Sequence, residues 1–164
     1  MILGLTGCTG SGKSSLLDYL NNHFSFWTID LDLVGHDILK RHSVKASLVT
    51  LFGKQVMQDS GEIDRVILGN LVFSSSDSLR QLNQLVHPLI KDSVLEILRA
   101  NKSLGNGVIV GALIDEIGLI DYCDHILFID VDRAQLIRRM PHKGQIITHQ
   151  YSPDSYRLFA TDVL

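Results

Sequence analysis

Residues 7–14 read Gly-Cys-Thr-Gly-Ser-Gly-Lys-Ser, and a short apolar run at residues 2–6 comes directly before them. The spacing is G-x-x-x-x-G-K-S, the pattern of a phosphate-binding loop between a strand and a helix. Glycines let successive backbone N–H groups turn toward anionic oxygens, and the helix that follows points its positive dipole end at the same place. The stretch therefore predicts a strand over 2–6, a triphosphate cradle, and a helix over 13–23.

The residues of this loop have separate expected roles. Lys13 supplies a positive charge for the β- and γ-phosphates, and the Ser14 hydroxyl is a ligand for Mg²⁺. No guanine-reading Asn/Thr-Lys-x-Asp motif is present in the sequence, so a GTPase is not expected. The predicted nucleotide-binding residues are Gly10, Ser11, Gly12, Lys13, Ser14 and Ser15.

Bulk properties narrow the class of protein. The chain has 164 residues, 45% of them hydrophobic, and a net charge of −3, which fits one globular domain without the basic footprint of a nucleic-acid binder. Cys8 and Cys123 do not form a disulfide or zinc pattern. Neither a signal peptide nor a membrane span is expected, so a cytoplasmic location is predicted.

Strands and helices alternate along the chain. Further strands are predicted at 26–30, 108–110, 125–130 and 161–164, with short helices at 33–41, 44–52 and 132–139. Such alternation favours an α/β fold with a parallel five-stranded sheet flanked by helices. Residues 64–101 contain helical patterns only, at 64–71, 75–85 and 87–101, with Pro88 in the first turn of the last. We expect one domain, 1–164, with its core at 1–63 and 102–164 and this helical insertion over the carboxyl edge of the sheet.

Several segments resemble, in the same order, the motifs of the dephospho-CoA kinase family. They correspond to its G-L-T-G start, its D-A-D, F-G, D-G-x-L-D-R, H-P-x-I and Q-x-x-R motifs, and the stretch before its last strand. The resemblance covers nearly the whole chain. The matching segments are Gly4–Ser15, Ile29–Asp32, Leu51–Gly53, Ser60–Arg65 with Leu68, Val86–Ile90, Gln135–Arg138, Gln150 and Tyr156–Val163.

The resemblance implies a nucleoside-monophosphate-kinase-like P-loop fold and transfer of a phosphoryl group from ATP to the ribose 3′-hydroxyl of dephospho-CoA. It implies that Asp32 accepts the proton of the attacking hydroxyl, and a helix N-cap is the structural alternative for Asp32 and for Asp30. Arg138, at the root of a short lid over residues 138–150, would stabilise the transferring phosphoryl group. Its alternative is an exposed helix surface.

The helical insertion is where the acceptor is expected to bind. Arg65 is a candidate for an acceptor phosphate, and its alternative is an ion pair with Asp64 or Glu62. His87 is a second candidate acceptor contact, and a structural histidine is its alternative. The expected ligands are small molecules, ATP and dephospho-CoA, bound by a monomer or small homo-oligomer.

Two other functions stay open on the sequence. One is a P-loop kinase of another small acceptor such as a nucleoside, a nucleotide or gluconate. The other is a nucleotide-binding module without turnover, suggested by His142 at the place where a second lid arginine is expected.

Overall fold

A computed structural model describes residues 1–8, 10–131 and 162–163. Strands and helices alternate from the N-terminus, with one long stretch of helices in the middle. The strands are β1 (Ile2–Gly7), β2 (Trp27–Asp30), β3 (Gly107–Val110), β4 (His125–Ile129) and β5 (Asp162–Val163). The helices are α1 (Lys13–Phe24), α2 (Leu31–Lys40), α3 (His42–Phe52), α4 (Arg65–Phe73) and α5 (Ser76–Ala100), and short 3₁₀ turns cover Lys54–Val56 and Ile120–Tyr122.

The strands form a parallel sheet in the order β2-β3-β1-β4-β5. β1 lies in the middle, because Ile2 aligns with Gly107 of β3 and Leu3 aligns with His125 of β4. β5 has only two residues, which align with Leu127 and Phe128. The predicted parallel sheet flanked by helices is confirmed, and in a sheet of this kind ligands bind beyond the carboxyl ends of the strands.

Apolar residues bury both faces of the central strands. All four residues of β3 are buried, as expected for a parallel strand that is covered on two sides. On one face, Leu5, Val108 and Val110 form a cluster against which Leu16 and Leu17 of α1 pack. This packing holds the start of α1 directly behind the end of β1.

The chain divides into two compact units, one made of Met1–Leu31 with Ile97–Leu164 and the other of Asp32–Glu96. The first unit contains the sheet and the glycine-rich loop. The second contains α2, α3, α4 and most of α5 around its own apolar core. The core residues of the second unit are Ile38, Val44, Leu48, Val56, Ile63, Leu68, Val72, Ile90 and Val94.

The prediction of two helices at 75–85 and 87–101 was wrong. Residues 76–100 form a single 25-residue helix with Pro88 in its interior, so Pro88 is not in a first turn. A proline inside a helix frees the carbonyl four residues earlier, here that of Gln84. Gln84 and Pro88 are both exposed, so water can satisfy this carbonyl while the apolar side of the helix continues to Ile90 and Val94.

Within the described residues, no helix is both long enough and apolar enough to cross a membrane. The helix predicted at 132–139 and the lid at 138–150 lie outside the described residues.

Candidate active site

The glycine-rich loop joins the end of β1 to the start of α1. Gly7, Gly10 and Gly12 have φ values of 143°, 83° and 108°, which L side chains rarely adopt. Gly12 is the N-cap of α1, and this helix start has neither a capping side chain nor an acidic residue in its first turn. The first backbone N–H groups of a helix have no acceptor within the helix, and the helix dipole favours an anion at this end.

Lys13 is the first residue of α1, and its ammonium folds back onto the loop. Its Nζ donates to the carbonyl of Gly7 at 2.7 Å and to that of Cys8 at 2.9 Å. The loop itself is closed by a hydrogen bond from the Ser11 N–H to the Cys8 carbonyl at 3.1 Å. These contacts hold the positive charge of Lys13 beside the glycine backbone.

The residues present fit a triphosphate with its Mg²⁺. No side chain fits at Gly7, where a Cβ atom would lie 2.6 Å from the Ile129 carbonyl oxygen and 3.0 Å from Ser11 Oγ, so the loop backbone stays bare there. The Ser14 and Ser15 side chains are exposed in the first turn of α1. A hydroxyl in that position is an oxygen donor of the hard type that Mg²⁺ prefers.

Gly7→Ala should both destabilise the protein and weaken nucleotide binding. The new methyl group meets backbone at Ile129, which cannot rotate away as a side chain could. Gly105→Ala is the matched control, because Gly105 also has a positive φ of 84° but nothing within 4 Å of its Cβ position. In both variants the strain of a positive φ at a residue with a Cβ atom costs about 1–2 kcal/mol of stability. The collision in Gly7→Ala should add about 1–3 kcal/mol. Chemical unfolding and ATP titration of both variants measure this, and equal losses would contradict the collision.

Two aspartates follow the end of β2. Asp30 is the last residue of β2, so it lies at the same edge of the parallel sheet as Gly7 at the end of β1. α2 begins at Leu31, which places Asp32 in the first turn of the helix with its side chain exposed. Asp32 is therefore not in the N-cap position. That position belongs to Asp30, the residue before the first residue of α2.

Arg65 begins α4 on the second unit, and its guanidinium Nη1 donates to Nε2 of His36 at 2.7 Å. The predicted alternative of an ion pair with Asp64 or Glu62 was wrong. The Asp64 carboxylate caps α4 by accepting from the Val66 and Ile67 N–H groups. Glu62 pairs with Lys45 at 2.7 Å.

His36 was missed at the level of the sequence. A signal for it exists: His36 comes four residues after Asp32 on α2, and residues at that spacing share a face of a helix. His87 lies inside α5 and is partly buried. Arg138 is outside the described residues, so its predicted role stays a prediction.

Cys123, in the first unit, is held as a neutral thiol. Burial, with a smaller contribution from the charge of Asp124, raises the pKa of Cys123 to about 12 from 9.0. Its Sγ donates to the Leu119 carbonyl at 3.5 Å. The stabilisation from the neutral thiol is complete below pH 9.0, the unfolded-state pKa, and is lost as the pH rises toward about 12.

The free energy of unfolding should fall more steeply with pH in the wild type than in Cys123→Ala above pH 9.0. The two slopes of unfolding free energy against pH should differ by the contribution of at most one proton, the one that the Cys123 thiol loses on unfolding. Solvent screening of the partly exposed sulfur makes this difference smaller. Urea unfolding at several pH values between 8 and 11 checks it. Parallel slopes in the two proteins would show that the thiol does not titrate abnormally.

The whole chain, residues 1–164, matches the family model described as dephospho-CoA kinase. Two curated relatives named dephospho-CoA kinase are similar to it. The one from Borreliella burgdorferi is 31% identical over 142 residues, covering 87% of this chain and 68% of the relative. The one from Borrelia garinii subsp. bavariensis is 35% identical over 138 residues, covering 84% and 65%. The chain thus spans about two thirds of the length of these relatives.

The fold also matches solved structures. A crystal structure from Thermus thermophilus superposes with a TM-score of 0.81 and 27% sequence identity, covering 100% of this chain and 87% of that one.

Proposed function

The chain belongs to the dephospho-CoA kinase family, and from that premise we propose that it transfers the γ-phosphoryl group of ATP to the ribose 3′-hydroxyl of dephospho-CoA. ATP-dependent phosphorylation of dephospho-CoA is the activity that the family match supports. In the transfer, O3′ bonds to the γ-phosphorus as the bond to the bridging oxygen breaks, and ADP leaves with that electron pair. The residue roles below are part of the proposal.

The glycine-rich loop binds the donor. The backbone of Gly10–Ser15 contacts the phosphates, and Lys13 exchanges its two carbonyl contacts for β- and γ-phosphate oxygens. Mg²⁺ neutralises charge on the phosphates when it is bound, and the Ser14 hydroxyl is the side chain that would hold it. The loop thus orients the γ-phosphoryl group and disperses its charge.

Asp32 accepts the proton of the attacking hydroxyl. An exposed carboxylate in the first turn of α2 is accessible to a substrate, and its place inside the helix leaves the N-cap position to Asp30. A carboxylate needs only hydrogen-bond contact with the hydroxyl to orient it and receive its proton. The acceptor side is completed by Arg65 and His87, and Arg138 stabilises the charge that develops on the transferring group.

The observation that carries the ATP-binding half of the proposal is the glycine-rich loop, with its bare backbone, the start of α1 without a side-chain cap and Lys13 beside them. The choice of dephospho-CoA as acceptor rests on the family match. The test incubates the protein with ATP, Mg²⁺ and one acceptor at a time, and measures ADP release. The panel contains dephospho-CoA, a nucleoside, a nucleotide and gluconate, with no acceptor as the background. Release with dephospho-CoA above the others is expected.

The same assay separates the other functions. Turnover with a different acceptor alone would identify another small-molecule kinase. ATP binding without turnover on any acceptor would identify a nucleotide-binding module. The position of the new phosphate group is determined by comparing the product with coenzyme A by chromatography.

A further inference from the structure

Arg65 and His36 form a contact on the second unit that the proposed chemistry has not used. Arg65 Nη1 and His36 Nε2 are 2.7 Å apart, and the two side chains join α4 to α2. A guanidinium has donors but no acceptor, so His36 Nε2 is the acceptor here. The ring is therefore neutral in this arrangement, with its proton on Nδ1.

His36 orients the Arg65 guanidinium without cancelling its positive charge. Lys40 pairs with Asp37 and Lys45 pairs with Glu62, both at 2.7 Å, so these lysines are neutralised. Among the described residues, Arg65 has no such carboxylate partner, since Asp64 caps α4. Arg65 has five N–H donors, and a neutral acceptor on one of them leaves a charged fork for an anion.

The pair borders an open cleft within the second unit. The cleft has a volume of about 360 Å³. It is lined by His36, Leu39, Lys40, Gln58, Glu62, Ile63 and Arg65. His36 and Arg65 are both exposed. An exposed hydrogen bond contributes little to folding stability, so stabilisation of the fold is a weak explanation of the contact between Arg65 and His36.

The position of His36 connects this cleft to Asp32. The two residues are four apart on α2 and lie on one face, with Cβ atoms about 6 Å apart at that spacing. In dephospho-CoA the ribose that carries the 3′-hydroxyl also carries the 5′-diphosphate. A hydroxyl at Asp32 and a diphosphate one helical turn away are therefore compatible with one acceptor molecule.

We propose that His36 is a positioning residue that holds the Arg65 guanidinium in this cleft to bind the diphosphate of the acceptor. The inference rests on the proposed function, because it assigns a subsite for the same substrate. The role of His36 is indirect, because His36 orients the Arg65 guanidinium and the guanidinium contacts the anion.

The test compares His36→Leu, His36→Gln and Arg65→Met. His36→Leu keeps apolar bulk but removes the acceptor, and should raise the KM for dephospho-CoA about tenfold, which is near the lower end of the value of one hydrogen bond to a charged group. The KM for ATP and kcat should stay within about twofold, since the donor site is untouched. In His36→Gln the amide oxygen can accept from Arg65, so most of the effect should be rescued. His42→Leu, an exposed histidine outside the cleft at the start of α3, is the matched control.

The double variant His36→Leu/Arg65→Met decides whether His36 acts through Arg65. If it does, His36→Leu has no further effect once Arg65 is lost, and the two KM changes are not additive. Additive changes, an unchanged KM in His36→Leu, or a loss of melting temperature that accounts for the activity would each overturn the proposal. Wild-type protein that fails to phosphorylate dephospho-CoA would instead overturn the proposed function, so the two failures are distinct.

Discussion

Lys13→Met should lower kcat/KM for ATP-dependent phosphorylation by about 10³-fold, at the upper end of the effect of a single donor to a developing oxyanion. Methionine keeps the length and apolar stem of the side chain but removes the ammonium that contacts Gly7 and Cys8. The loss should fall mainly on kcat, because negative charge builds up on the bridging oxygen and the β-phosphate as the bond to the leaving group breaks. Steady-state kinetics with varied ATP measure it.

Lys102→Met is the matched control for Lys13→Met. Lys102 is an exposed lysine in the turn that follows α5, outside the glycine-rich loop. Its replacement should leave kcat/KM within about twofold, as for most exposed substitutions. If Lys13→Met were as active as this control, Lys13 would not contact the transferring group.

Asp32→Asn should lower kcat by about 10²–10⁴-fold, the range for removal of a positioned general base. The amide has the size of the carboxylate but cannot take up the hydroxyl proton. ATP affinity should change far less than kcat, because the predicted contact of Asp32 is with the acceptor. Single-turnover kinetics together with ATP titration separate the two quantities.

Asp30→Asn is the informative comparison for Asp32→Asn. Asp30 ends β2 and precedes α2, where a cap role predicts little change in either stability or kcat, because asparagine caps a helix as well as aspartate does. An unchanged kcat in Asp32→Asn, or a larger fall in Asp30→Asn, would show that the base is assigned to the wrong aspartate.

The loop and the strands beside it could be predicted because their local signals agree. An apolar run, glycines and a lysine at fixed spacing predict β1, the turn and α1, and the structure has them at Ile2–Gly7 and Lys13–Phe24. The continuous apolar run at Val108–Val110 likewise predicts a strand covered on both faces, as β3 is.

Predictions failed where tertiary context decides between local options. Pro88 is a strong local signal for a helix start, yet α5 continues through it because its apolar side is packed and the freed carbonyl belongs to an exposed residue, Gln84. Arg65 has acidic neighbours in sequence, but they are engaged by a helix start and by Lys45. The partner it has, His36, is 29 residues away, and no local pattern reports such a contact.

The central position of β1 has a consequence for how the protein is made. β1 is synthesised before both of its partners, Gly107–Val110 and His125–Ile129, and the Ile2 N–H bonds the Asp124 carboxylate 122 residues away. Closing such distant pairings is entropically costly and slow. The glycine-rich loop at the end of β1 is thus translated well before it is assembled, because β1 has no partner strand to join until β3 and β4 have been synthesised.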